Sequence, residues 1–395
     1  MSQRYQSFLF IVFGFLIVNL FSLNGTLPVW STAEEASLEG AKEMLFEGIP
    51  PNFSSAFIGV LDFRWEDKFI LRLPGVLLLL ISFLGIYAWG KKIFGKETMI
   101  TTLVVLTSSF LLVNVAKFAT SDSWLFCFQI MAVLSLLIFL KQPLRKWNIW
   151  HAFFTGMALL IQPVSTLVLM GTLSVFLFIF HPNGKNLKEL FYWLIPLVLV
   201  SFLYVKGFPS FENHNPFFVN YGTVGFGSYC LLMIYGVLPW FAFLPPGMRH
   251  TIKLFRKKEE FSIIMLGLFI AGMLSMSLVV QFVFALLIAK QVQGILSDKY
   301  PYHNFVKAGA VLHLLIVVMG TMILMVGGWQ ELKGLGFRTM MSFGTVYWFA
   351  SFAGVVGILM KNRRLILGSA TIAGVMVTFM FWGQIFPLLQ GKGMF

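Results

Sequence analysis

Apolar positions in this chain come in long runs rather than in the alternation of a half-buried surface. Uninterrupted stretches lie near residues 7–23, 70–90, 99–117, 123–140, 188–205, 227–246, 307–326, 342–360 and 365–387. A bilayer core takes about 20 apolar residues per spanning helix, so each stretch predicts one span. Two longer runs, 149–181 and 261–292, exceed one span and fall short of two full ones. Proline forbids a continued helix ladder, so Gln162-Pro163 breaks the first run; Ser275-Met276-Ser277 softens the second. Each then reads as a short helical hairpin. The pattern predicts an all-α polytopic membrane protein of about 13 segments, forming a single transmembrane domain over residues 1–395. The first run has no small-residue cleavage site after it and is expected to stay as an anchor.

Composition agrees with that pattern. Hydrophobic residues make up 58% of the chain and charged residues 11%, against roughly 25% charged in soluble domains. A soluble enzyme, a disordered chain and a disulfide scaffold are all excluded. The two cysteines, Cys127 and Cys230, lie in apolar runs and carry no redox message. The net charge of +13 would suggest nucleic acid if it were spread evenly, but it is sorted. With the N-terminus inside, the cytoplasmic loops take 20 of the 29 basic residues and 5 of the 16 acidic ones. The outer loops keep 9 basic and 11 acidic residues. The excess is therefore the positive-inside signal of a membrane protein, and no nucleic acid is needed.

Two outer loops are long enough for chemistry, 24–69 and 206–226, and a third, 327–341, is modest. Within the first, Ser31 to Leu45 predicts an amphipathic helix lying on the outer interface. Leu38, Ala41 and Leu45 share one face, and Glu35, Glu39 and Glu43 recur on another. Ser31 or Thr32 with Glu34 or Glu35 makes a capping box, which uses one of the two glutamates and leaves the other free for a cavity. The predicted spans hold Asn19, Asn114, Gln129 and Gln281 but no central ionisable group. Ion-coupled transporters place such groups near the midplane, so this absence disfavours a transporter or lipid flippase.

Four further places can carry chemistry. Arg72 opens the second span, where a guanidinium can grip a lipid phosphate bidentately or simply snorkel and pair with Glu66 and Asp67. Lys117 and Asp122 flank the turn before the fourth span; Asp122 can cap that helix, act as a base or hold a metal. Lys206 opens the second large outer loop. Glu212 and His214 stand at Glu-x-His spacing in that loop and could give two ligands to zinc or manganese, although two ligands do not complete a site.

In order along the chain, several of these stretches resemble the GT-C integral-membrane glycosyltransferases, in particular the protein O-mannosyltransferase and aminoarabinose transferase branch. Glu34 precedes Ala41-Lys42-Glu43-Met44, similar to the acidic residues and the Ala-Arg-Glu-Met helix of that family's first loop. Arg72-Leu73-Pro74-Gly75 resembles its Arg-Leu-Pro-Ser, and Ala119-Thr120-Ser121-Asp122 its Ala-Thr-x-Asp. The stretch from Gly236-Val237-Leu238-Pro239-Trp240 through Leu244-Pro245 resembles its Leu-Pro-Trp helix.

There are also departures. The aspartate of the leading acidic pair is replaced in Ala33-Glu34, and Glu47-Gly48-Ile49-Pro50-Pro51 lacks the lysine of Glu-Lys-Pro-Pro. Ile161-Gln162-Pro163 stands for Lys-Gly-Pro, and Ser275-Met276-Ser277-Leu278 for Ser-Lys-Leu-Pro-x-Tyr. Ending at Phe395, the chain is expected to be a short form without the large soluble domain of many relatives.

The resemblance implies transfer of a sugar from a polyprenyl-phosphate donor to an acceptor at the extracytoplasmic face of a bacterial inner membrane. Glu34, or Glu35, is then the expected base and Asp122 the second acid. Arg72, Lys117 and Lys206 are the expected phosphate ligands. No cofactor is demanded, although a divalent metal is allowed, with Glu212 and His214 as its candidate ligands. Expected partners are the donor, the surrounding membrane lipids and other envelope proteins. The departures leave an alternative: a catalytically degenerate subunit that binds lipid or acts as a scaffold.

Overall fold

The computed structural model describes residues 68–115, 117, 120–189, 198–199, 225–297 and 300–380, with the isolated position 14. Among the described residues every regular element is helical and no strand occurs. The chain is an all-α polytopic membrane protein, as its apolar runs predict.

Helix α1, Lys68–Phe94, is the predicted second span, and Gly95 at a φ of 87° turns it into α2, Lys96–Ser108. A left-handed backbone of this kind suits glycine because no Cβ is present to clash. The predicted third span is broken at Ser109, with α3 covering Phe110–Val115. Helix α4, Asp122–Lys141, is the most enclosed: almost all of its residues are buried. Arg145–Ile161 (α5) and Pro163–Phe180 (α6) form the first expected hairpin, with the break at Gln162. Gln162 sits in extended backbone, and Pro163 begins α6, where its missing N–H costs nothing.

The predicted span 227–246 is not one helix. Phe226–Gly236 (α7) ends before the cis peptide Leu238-Pro239, and Leu244–Arg256 (α8) follows a short 3-10 turn, the two arms bending by 106°. The second expected hairpin is α9, Glu260–Leu274, and α10, Val279–Ile295, broken over 275–278.

Residues His303–Leu359 make up α11, which runs across the predicted loop 327–341. That segment is nonetheless folded back. The His313 and Tyr347 rings lie 6.3 Å apart, whereas 34 residues of straight helix would separate them by about 50 Å at ~1.5 Å per residue. A Cβ on Gly344 would likewise meet Thr321 at 3.0 Å. The two legs, His303–Ile323 and Met341–Leu359, match the two predicted spans, and the reversal falls between them. Arg363–Met380 (α12) completes the described chain.

Among the described residues, five helical segments are long and apolar enough to cross a bilayer: 72–94, 122–141, 163–180, 303–323 and 341–359. The bent α7–α8 pair makes a sixth if it is one span. The rest of the 13 expected segments are shorter helices or lie outside the described residues; 7–23 and 188–205 are in the latter group.

The two ends of the bundle differ in chemistry. At one end Lys141 Nζ pairs with Glu260 at 3.3 Å and donates to the Ile93 carbonyl at 3.1 Å, and His181 Nε2 lies 3.6 Å from the same carboxylate. Arg363 donates to Thr101 Oγ1 at 3.2 Å and approaches Glu97. All of these charged residues belong to the set that the charge sorting predicts as cytoplasmic. Arg72, Lys117 and Asp122 gather at the opposite end.

Candidate functional site

Helices α1 and α4 run parallel, tied at their C-terminal ends by the bond from Lys141 to Ile93. At ~1.5 Å per residue, Arg72 and Asp122 stand about 30 Å back along each helix, so both lie at the other mouth of the bundle. Lys117 enters from the turn between α3 and α4. Arg72 and Lys117 are each 1% exposed and Asp122 is 0% exposed. Arg72 therefore does not reach out into water, as the snorkelling reading required.

Buried charge is costly unless compensated, and the three groups show how it is handled. Burial and, to a lesser extent, the neighbouring Arg72 charge together push the Lys117 ammonium from its ordinary value of 10.5 down to about 7. Two like charges so placed repel each other. Asp122 is the first helical residue of α4, where a carboxylate is favoured by the helix dipole. The capping position itself falls to Ser121, whose side chain makes no cap bond. Instead Thr120 Oγ1 donates to Asp122 Oδ2 at 2.6 Å, which fixes the carboxylate's orientation.

One helical face links this mouth to the interior. Gln129 follows Asp122 by seven residues, which returns it to nearly the same side of α4. Its Nε2 donates to Thr166 Oγ1 at 3.2 Å and Ser165 Oγ at 3.4 Å, and its Oε1 accepts from Ser277 Oγ at 2.6 Å. Ser165 Oγ donates to the Ser275 carbonyl at 2.8 Å, and the Tyr229 hydroxyl to the Ser277 carbonyl at 2.9 Å. The tips of both broken hairpins are thus pinned on one glutamine. Sequence reading noticed Gln129 as an interior polar residue but had no signal for its partners, which are 36 to 148 positions away. Nothing in the sequence around Thr120 marks it as the partner of the Asp122 carboxylate.

Of the residues expected from sequence, Arg72 and Lys117 come together and Asp122 lies at the same mouth. Glu34, Glu35, Lys206, Glu212 and His214 lie outside the described residues. Among the described residues no group of three His, Cys, Asp or Glu is placed to hold a metal ion.

The family of dolichyl-phosphate-mannose-protein mannosyltransferases matches residues 57–206, a segment that contains Arg72, Lys117, Asp122 and Lys206. No curated protein matches the sequence. The crystal structure of ArnT from Cupriavidus metallidurans in the apo state is similar in fold, with a TM-score of 0.68 at 16% identity, covering 96% of this chain and 76% of that one. The same ArnT bound to undecaprenyl phosphate gives 0.65 at 17% identity with the same coverage. The family match thus covers the first membrane helices, and the chain shares its fold with ArnT along nearly its whole length.

Proposed function

We propose that the protein transfers a sugar from a polyprenyl-phosphate donor to an acceptor at the extracytoplasmic face, with Arg72 and Lys117 binding the donor phosphate. The observation that carries this reading is the buried Arg72–Lys117 pair at the mouth of an apolar bundle. Two adjoining cations at the membrane edge suit an anionic head on an apolar chain. The fold adds support, since the similar ArnT has been solved with undecaprenyl phosphate bound.

In the proposed reaction the acceptor oxygen attacks the anomeric carbon as the carbon–oxygen bond to phosphate breaks. The acceptor's proton passes to a carboxylate, and polyprenyl phosphate leaves with the bonding pair. Charge then builds on the departing phosphate, where fixed cations stabilise the transition state more than the ground state. Arg72 offers a rigid two-pronged donor, and Lys117 a point charge that strengthens when phosphate arrives. Lys206 is the third cation assigned to the phosphate. Asp122, oriented by Thr120, positions the acceptor, while Glu34, with Glu35 as its substitute, takes the proton. A divalent ion could share the phosphate's charge, with Glu212 and His214 as ligands.

A second reading has a specific observation in its favour. Where the family resemblance expects lysines at the hairpin breaks, this chain has Ile161 and Met276, and the tips are tied by neutral hydrogen bonds through Gln129. That suits a subunit that binds lipid without turning it over, alongside other envelope proteins. Transfer of labelled sugar from a polyprenyl-phosphate donor in proteoliposomes separates the two. Donor binding with turnover lost in Asp122→Asn and Glu34→Gln supports the enzyme; donor binding with no turnover in the native protein supports the lipid-binding subunit.

A further inference from the structure

Midway through the bundle, away from the cationic mouth, a cavity of about 330 Å³ opens between α7, α12 and the folded-back legs of α11. Its size falls at the lower end of small-ligand sites, roughly 300–1,000 Å³. The walls are mostly aromatic and aliphatic, with Phe110, Tyr235, Ile316 and Phe343 among them. Tyr235 and Ile316 are 58% and 47% exposed on the outer surface of the bundle, so the cavity opens sideways to lipid. Gly320 leaves part of the space free: a Cβ added there would meet nothing within 4 Å.

Apolar hollows alone need no ligand, but this one has polar atoms without partners. His313 is 5% exposed, and neither its Nδ1 nor its Nε2 has a hydrogen-bond partner; the hydroxyl of Tyr347, on the facing leg, has none either. His313 lies ten residues into α11, about 15 Å along the axis, which is half of a ~30 Å apolar core. Unsatisfied polar groups at that depth cost several times what they would at an interface. An adjoining hollow of about 30 Å³, bordered by His313 and by Ser351 with its own unpaired Oγ, has room for one water. His313 and Tyr347 both line the larger space.

No Asp, Glu, Lys or Arg is among the described lining residues, so a charged head would be stranded there. We propose that this cavity binds a neutral membrane lipid whose single polar end, a hydroxyl or carbonyl, hydrogen-bonds His313 and Tyr347. The site is distinct from the phosphate site and does not rest on the transferase reading.

The test uses hexadecan-1-ol carrying a diazirine beside its hydroxyl end, photolysed with the full-length protein in neutral-lipid nanodiscs and mapped by peptide mass spectrometry. The probe should label the segments around 313–321 and 343–347, and excess hexadecan-1-ol should compete while hexadecane and undecaprenyl phosphate do not. Gly320→Leu fills the space with a better helix former and should cut labelling roughly tenfold, a change of about 1.4 kcal/mol. The double change His313→Phe, Tyr347→Phe keeps the rings and removes the polar atoms; it should cut labelling by a similar factor and make hexadecane an equal competitor. Labelling that survives both variants overturns the proposal. So does equal competition by hexadecane in the native protein, which would make the cavity a nonspecific hydrocarbon slot. Displacement by undecaprenyl phosphate overturns it as well, because the space would then belong to the donor's chain.

Discussion

At the scale of single residues, Arg72 and Lys117 are a like-charged pair buried where an apolar interior should exclude both. Arg72→Ala removes a charge-assisted bond worth about 1.5–3 kcal/mol, so the donor KM should rise by one to two powers of ten while the thermal midpoint in detergent stays near the native value. A large drop in that midpoint with KM unchanged would make Arg72 a structural residue only. Lys117 gives a pH signature. With its value lowered to about 7, the free protein loses this charge as pH rises through neutrality, and donor affinity should fall between pH 6 and 8.5. Lys117→Arg should flatten that dependence, because guanidinium stays charged throughout. The linkage sign for stability is the reverse of the usual lysine case, in which a partner raises the folded value, and matches that of a depressed carboxylate. The folded value lies below the unfolded 10.5, so the burial penalty is full below about pH 7 and fades as pH rises toward 10.5. The native protein should gain stability over that window, and Lys117→Met should remove the gain. These two cations were recognisable in the sequence one at a time. Their adjacency was not, because it depends on how α1 and the turn before α4 pack, and no local pattern encodes that.

Helices and their breaks were more legible, though unevenly. Gln162-Pro163 and Ser275-Met276-Ser277 stand out because proline and serine interrupt apolar runs, and both breaks are where α5–α6 and α9–α10 turn. The 106° bend after Gly236 was missed although Pro239 marks it, since apolar residues continue on both sides and hide the change of direction. What holds the hairpin tips was also hidden: Gln129 reaches Ser165, Thr166 and Ser277 from a helix that reads as uniformly apolar. Gln129→Leu should strip those hydroxyls of their partner and cost about 1–2 kcal/mol, read as a lower unfolding midpoint and as faster proteolysis near residues 162 and 275. For the capping box that the sequence predicts in the first outer loop, Glu34→Gln would keep the cap and remove the charge, while Ser31→Ala would remove the cap for about 1 kcal/mol. Transfer abolished by the first change and retained in the second assigns the loop to chemistry; equal and mild effects make it a structural helix.

For the whole molecule, charge sorting and the fold agree on which residues share an end. Glu97, Lys141, His181, Glu260 and Arg363 meet at one side, and the cationic mouth lies at the other. Cysteines placed at Lys146 and Lys257 should react with an impermeant maleimide only from the cytoplasmic side, and one at His214 only from outside. In the proposed function, the mouth formed by Arg72 and Lys117 holds the phosphate of a polyprenyl donor. The most direct measurement is the equilibrium binding of undecaprenyl phosphate to the purified protein in nanodiscs, native against Arg72→Ala and Lys117→Ala. Saturable binding that weakens roughly tenfold or more in each variant, with uncharged undecaprenol failing to compete, is the predicted result. Equal binding by all three proteins, or equal competition by undecaprenol, would contradict it.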